Sequence, residues 1–317
     1  MIKQAKLALA ALALTAAAIP AMAAPLYIDT GADFAADPNG STRTANFTTL
    51  GYTGTLATSI YLGSPATPGT TVIDTNIPSV MNFYGFSAGT HTTLSGGTAS
   101  FNYPNFPSQN NIDSLNNPSS TDLNGFTGGA SFPQYGFGNV GGVGGAWGLT
   151  YSYQIVGKTV DRDGDGVSDY VQYTGGIFSL IYQGGASDPN TGKEVLRLIV
   201  TGSDIQLTNL NVSGYVDYST NGGDTFVQNF FNSGDGLGSL YSNWLLNNIS
   251  VSWVLNTNVD PPIPTASQLW NTGSALIRQS DLNGTLAINV PEPGSLALVG
   301  LALAGLGFAQ RRRALRK

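Results

Sequence analysis

Five residues in one short segment could together hold a metal ion. Residues 161–169 have the sequence D-R-D-G-D-G-V-S-D, with aspartates at alternate positions and glycine at the sixth. Carboxylates at every second position of a tight loop can converge on one cation, and the glycine permits the sharp turn. Hard oxygen ligands of this kind favour calcium. The predicted Ca²⁺ ligands are four side chains and one backbone carbonyl, from Asp161, Asp163, Asp165, Asp169 and Val167.

This acidic segment resembles the calcium loops of EF-hands and of the shorter repeats in dockerins and thrombospondins. It departs from the EF-hand at the twelfth position, where Gln172 replaces the bidentate glutamate, and strand-like runs flank it. The departure indicates weaker binding and no helix-opening switch. The alternative is an acidic hairpin turn without metal, although four aspartates this close repel one another unless a cation is present.

Residues for other chemistry are scarce. The chain has no cysteine, which excludes thiol catalysis, and His91 is its single histidine. No nucleophile elbow, zinc-protease helix or phosphate loop occurs in the sequence. We therefore expect a protein that is not an enzyme. Paired aspartates could still hydrolyse glycosidic bonds, so a secreted polysaccharide-active enzyme similar to glycoside hydrolases is the alternative.

Strands must position the acidic loop. Glycine, serine, threonine and asparagine are abundant, only 10% of residues are charged, and short apolar runs alternate with turns. This pattern is typical of all-β extracellular proteins. We expect an all-β, antiparallel β-sandwich-like exported domain over residues 24–290, with strands at 151–156 and 170–182 flanking the loop.

Local patterns add detail to this architecture. Residues 201–204 predict a hairpin turn, Gly175 and Gly176 a β-bulge, and residues 266–277 a short helix. A second short helix is predicted where apolar residues share one helical face, at Leu237, Leu240, Tyr241, Trp244 and Leu245.

Two segments leave more than one interpretation open. Phe83, Tyr84 and Phe86 form an aromatic cluster, for which we favour core packing over a sugar-stacking platform. Residues 125–148 contain ten glycines with aromatic residues between them. That segment is either a glycine-rich loop held by aromatic side chains or a boundary between two subdomains.

Residues 1–23 have the order of a secretory signal peptide. Lys3 and Lys6 form the basic start, and an apolar run follows over residues 7–19 that is too short for a permanent span. We expect export by the Sec machinery and cleavage by signal peptidase after Ala23 or Ala24. The small residues of this site are Ala21, Ala23 and Ala24.

The last 27 residues combine three features. The tripeptide Pro291, Glu292, Pro293 is rigid and extended because both prolines fix φ. The uncharged run 294–310 would reach roughly 25 Å as a helix, and snorkelling cations with local thinning can adapt a bilayer to that length. We therefore expect a transmembrane helix there, since a buried helix of a soluble domain would not lack charge on every face. Five cations that favour the cytoplasmic side close the chain: Arg311, Arg312, Arg313, Arg316 and Lys317.

In motif, span and basic tail, residues 291–317 resemble the PEP-CTERM sorting signal of Gram-negative bacteria. The resemblance implies recognition by exosortase, a membrane transpeptidase-like enzyme, and a transient inner-membrane anchor through 294–310. It also implies a destination at the cell surface or in an extracellular exopolysaccharide matrix. Residues 259–290, before that signal, look like those of the flocculation-associated PEP-CTERM proteins. This second resemblance implies capture of exopolysaccharide in cell aggregates.

Charge narrows the possible partners. Between the two targeting segments, residues 24–290 carry six Lys and Arg against eighteen Asp and Glu, a net charge of about −12. Such a field disfavours nucleic acid and anionic lipid, and it favours divalent cations or neutral and cationic surfaces. The charge agrees with what the two resemblances imply, a structural or adhesive protein that binds exopolysaccharide in flocculation or biofilm formation.

Overall fold

The computed structural model describes residues 25–31, 43–44, 46–104, 111–112, 114–116, 148–184, 188–206, 209–234, 236, 238–246, 252–258 and 263–289. The predicted signal peptide, residues 125–147 and everything after Asn289 lie outside this part of the chain. Within it the protein is mostly β with few helices, which confirms the predicted class. Every strand pair whose register is described is antiparallel.

The described strands are between 2 and 14 residues long. In chain order they are β1 (Leu26–Ile28), β2 (Thr49–Tyr61), β3 (Thr71–Thr75), β4 (Gly89–Thr92), β5 (Thr98–Phe101), β6 (Asn111–Ile112), β7 (Ser114–Asn116), β8 (Gly148–Val160), β9 (Tyr170–Gln183), β10 (Glu194–Gln206), β11 (Asn209–Val216), β12 (Phe231–Ser233), β13 (Ser252–Asn258), β14 (Trp270–Asn271) and β15 (Leu276–Asn289).

The helices in the described residues are short: α1 (Pro78–Phe83), α2 (Thr225–Phe230), α3 (Leu240–Leu246) and a 3-10 turn at Ala266–Gln268. Helix α3 confirms the helix predicted around Trp244. The helix predicted over 266–277 is wrong beyond Gln268, because β14 and the start of β15 pair there as a hairpin. Gly273 lies between these strands at φ +90°, a conformation that suits glycine and ends a helix.

Eleven of the strands form one continuous sheet, in the order β14-β15-β13-β11-β10-β9-β8-β3-β2-β7, with β6 attached to β8. Strand β15 pairs with β2 as well as with β13, so eight strands form a closed circuit. The β-sandwich prediction required two separate sheets and is corrected by this topology. Closure leaves the eight strands without an unpaired edge in the circuit, which protects them from pairing with other chains.

Strand length explains part of the difference between the predicted β-sandwich and the observed closed sheet. The turn predicted at residues 201–204 is wrong, because β10 continues through it with a register shift between Val200 and Gly202. Strand β2 likewise runs unbroken for 13 residues. Long strands accumulate more twist than short ones, and twist is what allows the first and last strands of a sheet to meet.

The two faces of the sheet have different surroundings. Helix α1, the segment after it and the β4–β5 hairpin supply Met81, Phe86 and Phe101 in turn, and these pack with Ile60 and Ile277 into one buried apolar cluster. The face that carries these isoleucines is therefore the outer face of the circuit. Neighbouring residues on the same strands alternate to the opposite face, so that face lines the interior.

Strands β8 and β9 meet at a bulge, where the register shifts between Val156 and Gly157, opposite Gly175. This confirms the bulge predicted there. A Cβ atom on Gly157 would overlap the backbone carbonyl of Gln172, whereas a Cβ atom on Gly175 would have no heavy atom within 4 Å.

Gly157→Ala is therefore expected to lower the free energy of unfolding by about 1–3 kcal/mol, since the backbone must shift to admit the methyl group. Gly175→Ala is the matched control and is expected to stay within about 0.5 kcal/mol of wild type. Urea unfolding followed by tryptophan fluorescence measures both. Equal losses in the two variants would show that the close approach at Gly157 does not matter.

Candidate functional site

The acidic loop connects β8 to β9 and is tied down at its base. The backbone N–H of Asp169 donates to the carbonyl of Val160 at 2.8 Å. The N–H of Ser168 donates to the carbonyl of Ala66 at 2.9 Å, and Ser168 is buried. The loop is thus anchored to the chain segment between β2 and β3, while its aspartates lie near the surface.

Three predicted ligands converge in this loop. Carboxylate oxygens of Asp161, Asp163 and Asp169 lie within 4.8 Å of one another. Oxygens bound to one Ca²⁺ at about 2.3–2.6 Å can be separated by at most about 5 Å, so this spacing fits the ion. Asp165 is not part of that group, and its carboxylate instead accepts a hydrogen bond from the N–H of Val167 at 2.8 Å.

The loop backbone orients the carboxylate of Asp161. Its two oxygens accept hydrogen bonds from the N–H groups of Gly164 at 2.7 Å and Gly166 at 2.8 Å. Both glycines have positive φ, +83° and +86°, so the turn requires residues without a side chain. These hydrogen bonds lower the pKa of Asp161, and the one from Gly166 has the largest effect. The carboxylate is therefore kept in the anionic form that a metal ion requires.

A second polar cluster lies inside the closed sheet. Ser59 on β2 is directly opposite Asp74 on β3 and Arg278 on β15, so these three residues form a row across the strands. All three are buried, and Arg278 is only 2% exposed. The row places one negative and one positive side chain in the interior.

Tyrosine hydroxyls surround the carboxylate of Asp74. Tyr153 donates a hydrogen bond to it at 2.7 Å, Ser59 at 2.8 Å and Tyr173 at 3.1 Å. Burial raises the pKa of Asp74, and these hydrogen bonds with the attraction of Arg278 lower it in part. Burial also raises the pKa of Tyr153 and Tyr173. The tyrosines thus remain protonated donors.

Arg278 contacts a further tyrosine. Its guanidinium donates a hydrogen bond to the hydroxyl of Tyr61. Burial raises the pKa of Tyr61 to about 12, although Arg278 opposes the shift. This polar cluster specifies the register of β2, β3 and β15. A slip by one residue would move both charged side chains onto the apolar outer face.

Asp74 and Arg278 are not among the site residues predicted from the sequence. Each is a single charged residue inside an apolar strand, in T-V-I-D-T and L-I-R-Q. That pattern could have indicated two inward-facing charges that need partners. The pattern could not have predicted that Asp74 and Arg278 lie in the same row of the sheet, because 203 other residues separate them in the chain.

The predicted sorting and cleavage residues lie outside the described part of the chain. This holds for Ala21, Ala23 and Ala24, for Pro291, Glu292 and Pro293, for the run 294–310 and for the basic tail 311–317. In the residues that are described, no helix has the length and apolar character to cross a membrane.

The comparison with protein families matches residues 289–313 to the PEP-CTERM protein-sorting motif. The match includes the Pro-Glu-Pro tripeptide, the uncharged run and the first arginines of the tail, and it confirms the PEP-CTERM sorting signal that the sequence predicted. The motif implies an exported protein that exosortase sorts and processes during membrane transit. No curated protein and no solved structure gives a significant match.

Proposed function

We propose that the protein, once sorted, is a structural or adhesive component of the cell surface or extracellular matrix that binds exopolysaccharide and links cells into aggregates. The observation that carries this proposal is the PEP-CTERM motif at residues 289–313. The net charge of about −12 over residues 24–290 supports it, because such a charge disfavours nucleic acid and anionic lipid. The similarity of residues 259–290 to flocculation-associated proteins points to floc or biofilm formation.

The proposed route to the surface has three steps. The Sec machinery exports the chain, and signal peptidase cleaves near Ala23. The run 294–310 then holds the protein in the inner membrane, with Arg311–Lys317 on the cytoplasmic side. Exosortase finally acts near Pro291–Pro293 and releases residues 24–290 to the cell surface or the matrix.

Calcium is the proposed cofactor of the exported part. The converging carboxylates of Asp161, Asp163 and Asp169 support it. The carbonyl of Val167 is a further proposed ligand, and Asp165 would have to turn away from the N–H of Val167 to join them. Ca²⁺ takes six to eight oxygen ligands, so several positions would remain for water or sugar hydroxyls. Bound ions would also reduce the self-repulsion of an acidic domain.

We expect retention of the protein on polysaccharide without cleavage of the polymer. The exported protein would be incubated with total extracellular polysaccharide from aggregating cells, followed by cosedimentation and a reducing-end assay. The control is an acidic exported protein of similar charge that lacks the sorting motif. Chain shortening with new reducing ends would instead identify the polysaccharide-active enzyme that is the alternative function. The absence of both retention and cleavage would contradict the proposal.

A further inference from the structure

A layer without charged residues covers part of the outer face of the sheet. It consists of residues 78–104, with α1, β4 and β5, and residues 263–275, with the 3-10 turn and β14. Neither segment contains an Asp, Glu, Lys or Arg. We call these two segments the neutral layer. They differ in this respect from the acidic remainder of the exported part.

The base of the neutral layer is built from packed rings. Phe86 and Phe101 are 4% and 2% exposed, and the ring of Trp270 lies 5.9 Å and 5.3 Å from theirs. His91 stacks on Trp270, with ring centroids 3.6 Å apart and an interplanar angle of 9°. The layer is therefore a firm support for the residues at its surface.

The surface of the neutral layer presents an aromatic ring to solvent. Phe83 is 80% exposed, because it follows the buried Met81 by two positions in α1 and so points to the opposite side of the helix. The half-buried Tyr84 packs edge-on against it at 5.0 Å. Core packing, the favoured interpretation of this aromatic cluster, is thus confirmed for Phe86 and wrong for Phe83.

Polar groups lie close to this ring. Tyr103 is 36% exposed, and its hydroxyl donates a hydrogen bond to the side-chain oxygen of Asn82, the residue before Phe83. The ring of Tyr103 packs against Phe86 at 5.1 Å, so it is fixed in place. Because the hydrogen bond uses the amide oxygen of Asn82, its amide nitrogen can donate to another acceptor.

We infer that Phe83, Tyr103 and Asn82 form a binding site for an uncharged sugar chain. A sugar ring has an apolar face of C–H groups that can cover an aromatic ring, and a rim of hydroxyls that suits amide and phenol groups. The lack of cationic side chains in the neutral layer disfavours anionic polymers. The inference rests on the proposed polysaccharide-binding function and assigns it to particular residues.

The test is affinity electrophoresis of the exported protein in gels that contain dextran, β-1,3-glucan or galactomannan, with alginate as the anionic comparison. Phe83→Ala is expected to reduce retardation in a neutral gel, with a dissociation constant for the polysaccharide about tenfold higher than that of wild type. Aromatic residues dominate the binding energy of such contacts. Tyr103→Phe is expected to reduce retardation less, through loss of the hydroxyl alone. Tyr215→Ala removes another exposed ring, 44% exposed against 80% for Phe83, from β11 and serves as the control.

Retardation that falls in Phe83→Ala and persists in Tyr215→Ala supports the site. Equal retardation of wild type and Phe83→Ala would overturn it, while polysaccharide binding as a function would stand. Wild-type retardation by alginate alone, or by none of the four polymers, would also overturn it. The proposed function is tested independently by the cosedimentation experiment. It is contradicted if total extracellular polysaccharide does not retain the wild-type protein. A dimer that Phe83→Ala converts to monomer, with unchanged retardation, would identify a second copy as the occupant.

Discussion

Asp74→Ala is expected to lower the free energy of unfolding by about 3–5 kcal/mol, because it removes the acceptor shared by several buried donors, at about 1–3 kcal/mol for each donor left unsatisfied, and the attraction that the carboxylate exerts on the buried Arg278. The substitution leaves Arg278 without the carboxylate inside the closed sheet, where the arginine is 2% exposed. It also removes the acceptor that Tyr153, Tyr173 and Ser59 share. Buried donors without acceptors lose their hydration and gain nothing in return.

Urea unfolding of the two proteins at neutral pH measures this effect. Asp281→Ala is the matched control, because Asp281 is an exposed aspartate on β15, the strand that carries Arg278. A surface change of this kind is expected to stay within about 0.5 kcal/mol of wild type. Similar unfolding free energies for Asp74→Ala and Asp281→Ala would contradict the structural role of the buried cluster.

The same residue predicts a dependence on pH, which a milder substitution can reveal. Burial raises the folded-state pKa of Asp74 above its usual value of 3.8. The folded protein therefore holds this proton more tightly than the unfolded chain. The contribution of Asp74 to stability is complete below about pH 3.8 and decreases as the pH rises through the folded-state pKa.

Asp74→Asn keeps a hydrogen-bonding side chain of the same shape but cannot titrate. The unfolding free energy of wild type minus that of Asp74→Asn is expected to decrease as the pH is raised from about 4. Urea unfolding at a series of pH values gives this difference directly, and other titrating groups cancel in it. A difference that does not change with pH, or that increases, would contradict a raised pKa for Asp74.

Calcium is expected to raise the melting temperature of the exported protein by several degrees over its value in EDTA. The physical reason is linkage, since an ion that binds the folded loop and not the unfolded chain stabilises the folded state. Mg²⁺ is expected to have a smaller effect, because it requires octahedral geometry and loses its waters reluctantly. Differential scanning fluorimetry with each ion measures the shifts.

Asp163→Asn is expected to reduce the calcium-dependent shift, because it removes one of the three converging carboxylates. Asp217→Asn is a close control. Like Asp163, Asp217 accepts a hydrogen bond from the backbone N–H two residues later, at 2.9 Å against 3.2 Å, but it lies outside the acidic loop. Equal calcium shifts in wild type and Asp163→Asn, or no shift at all in wild type, would remove the loop as the calcium site.

Local chemistry made several features predictable from the sequence. The glycines at 175–176 predicted the bulge because a residue without a side chain tolerates close backbone approach. Alternating aspartates predicted a loop in which carboxylates converge, and three of them do. The Pro-Glu-Pro tripeptide, uncharged run and basic tail predicted the sorting motif, which the family comparison confirms. Each of these signals lies within a short stretch of chain.

Features that depend on distant residues were not predictable. The closed sheet requires Tyr61 to pair with Leu276, and no local pattern specifies a partner so far along the chain. The buried row of Asp74, Ser59 and Arg278 depends on the same closure. The exposure of Phe83 was missed because α1 is only six residues long, too short to show a helical period in the sequence. Polar residues at 201–204 suggested a turn, yet a strand with a bulge accommodates them equally well.

We propose that the protein is exported and then released from the membrane by sorting at its C-terminus. The intact mass of the protein from each cell fraction and from the medium tests this claim most directly. The expected product is a chain that starts near Ala24, ends near Pro291 and lies outside the cells. A chain in the membrane fraction that still carries Arg311–Lys317 would indicate a permanent anchor and would contradict release into the matrix.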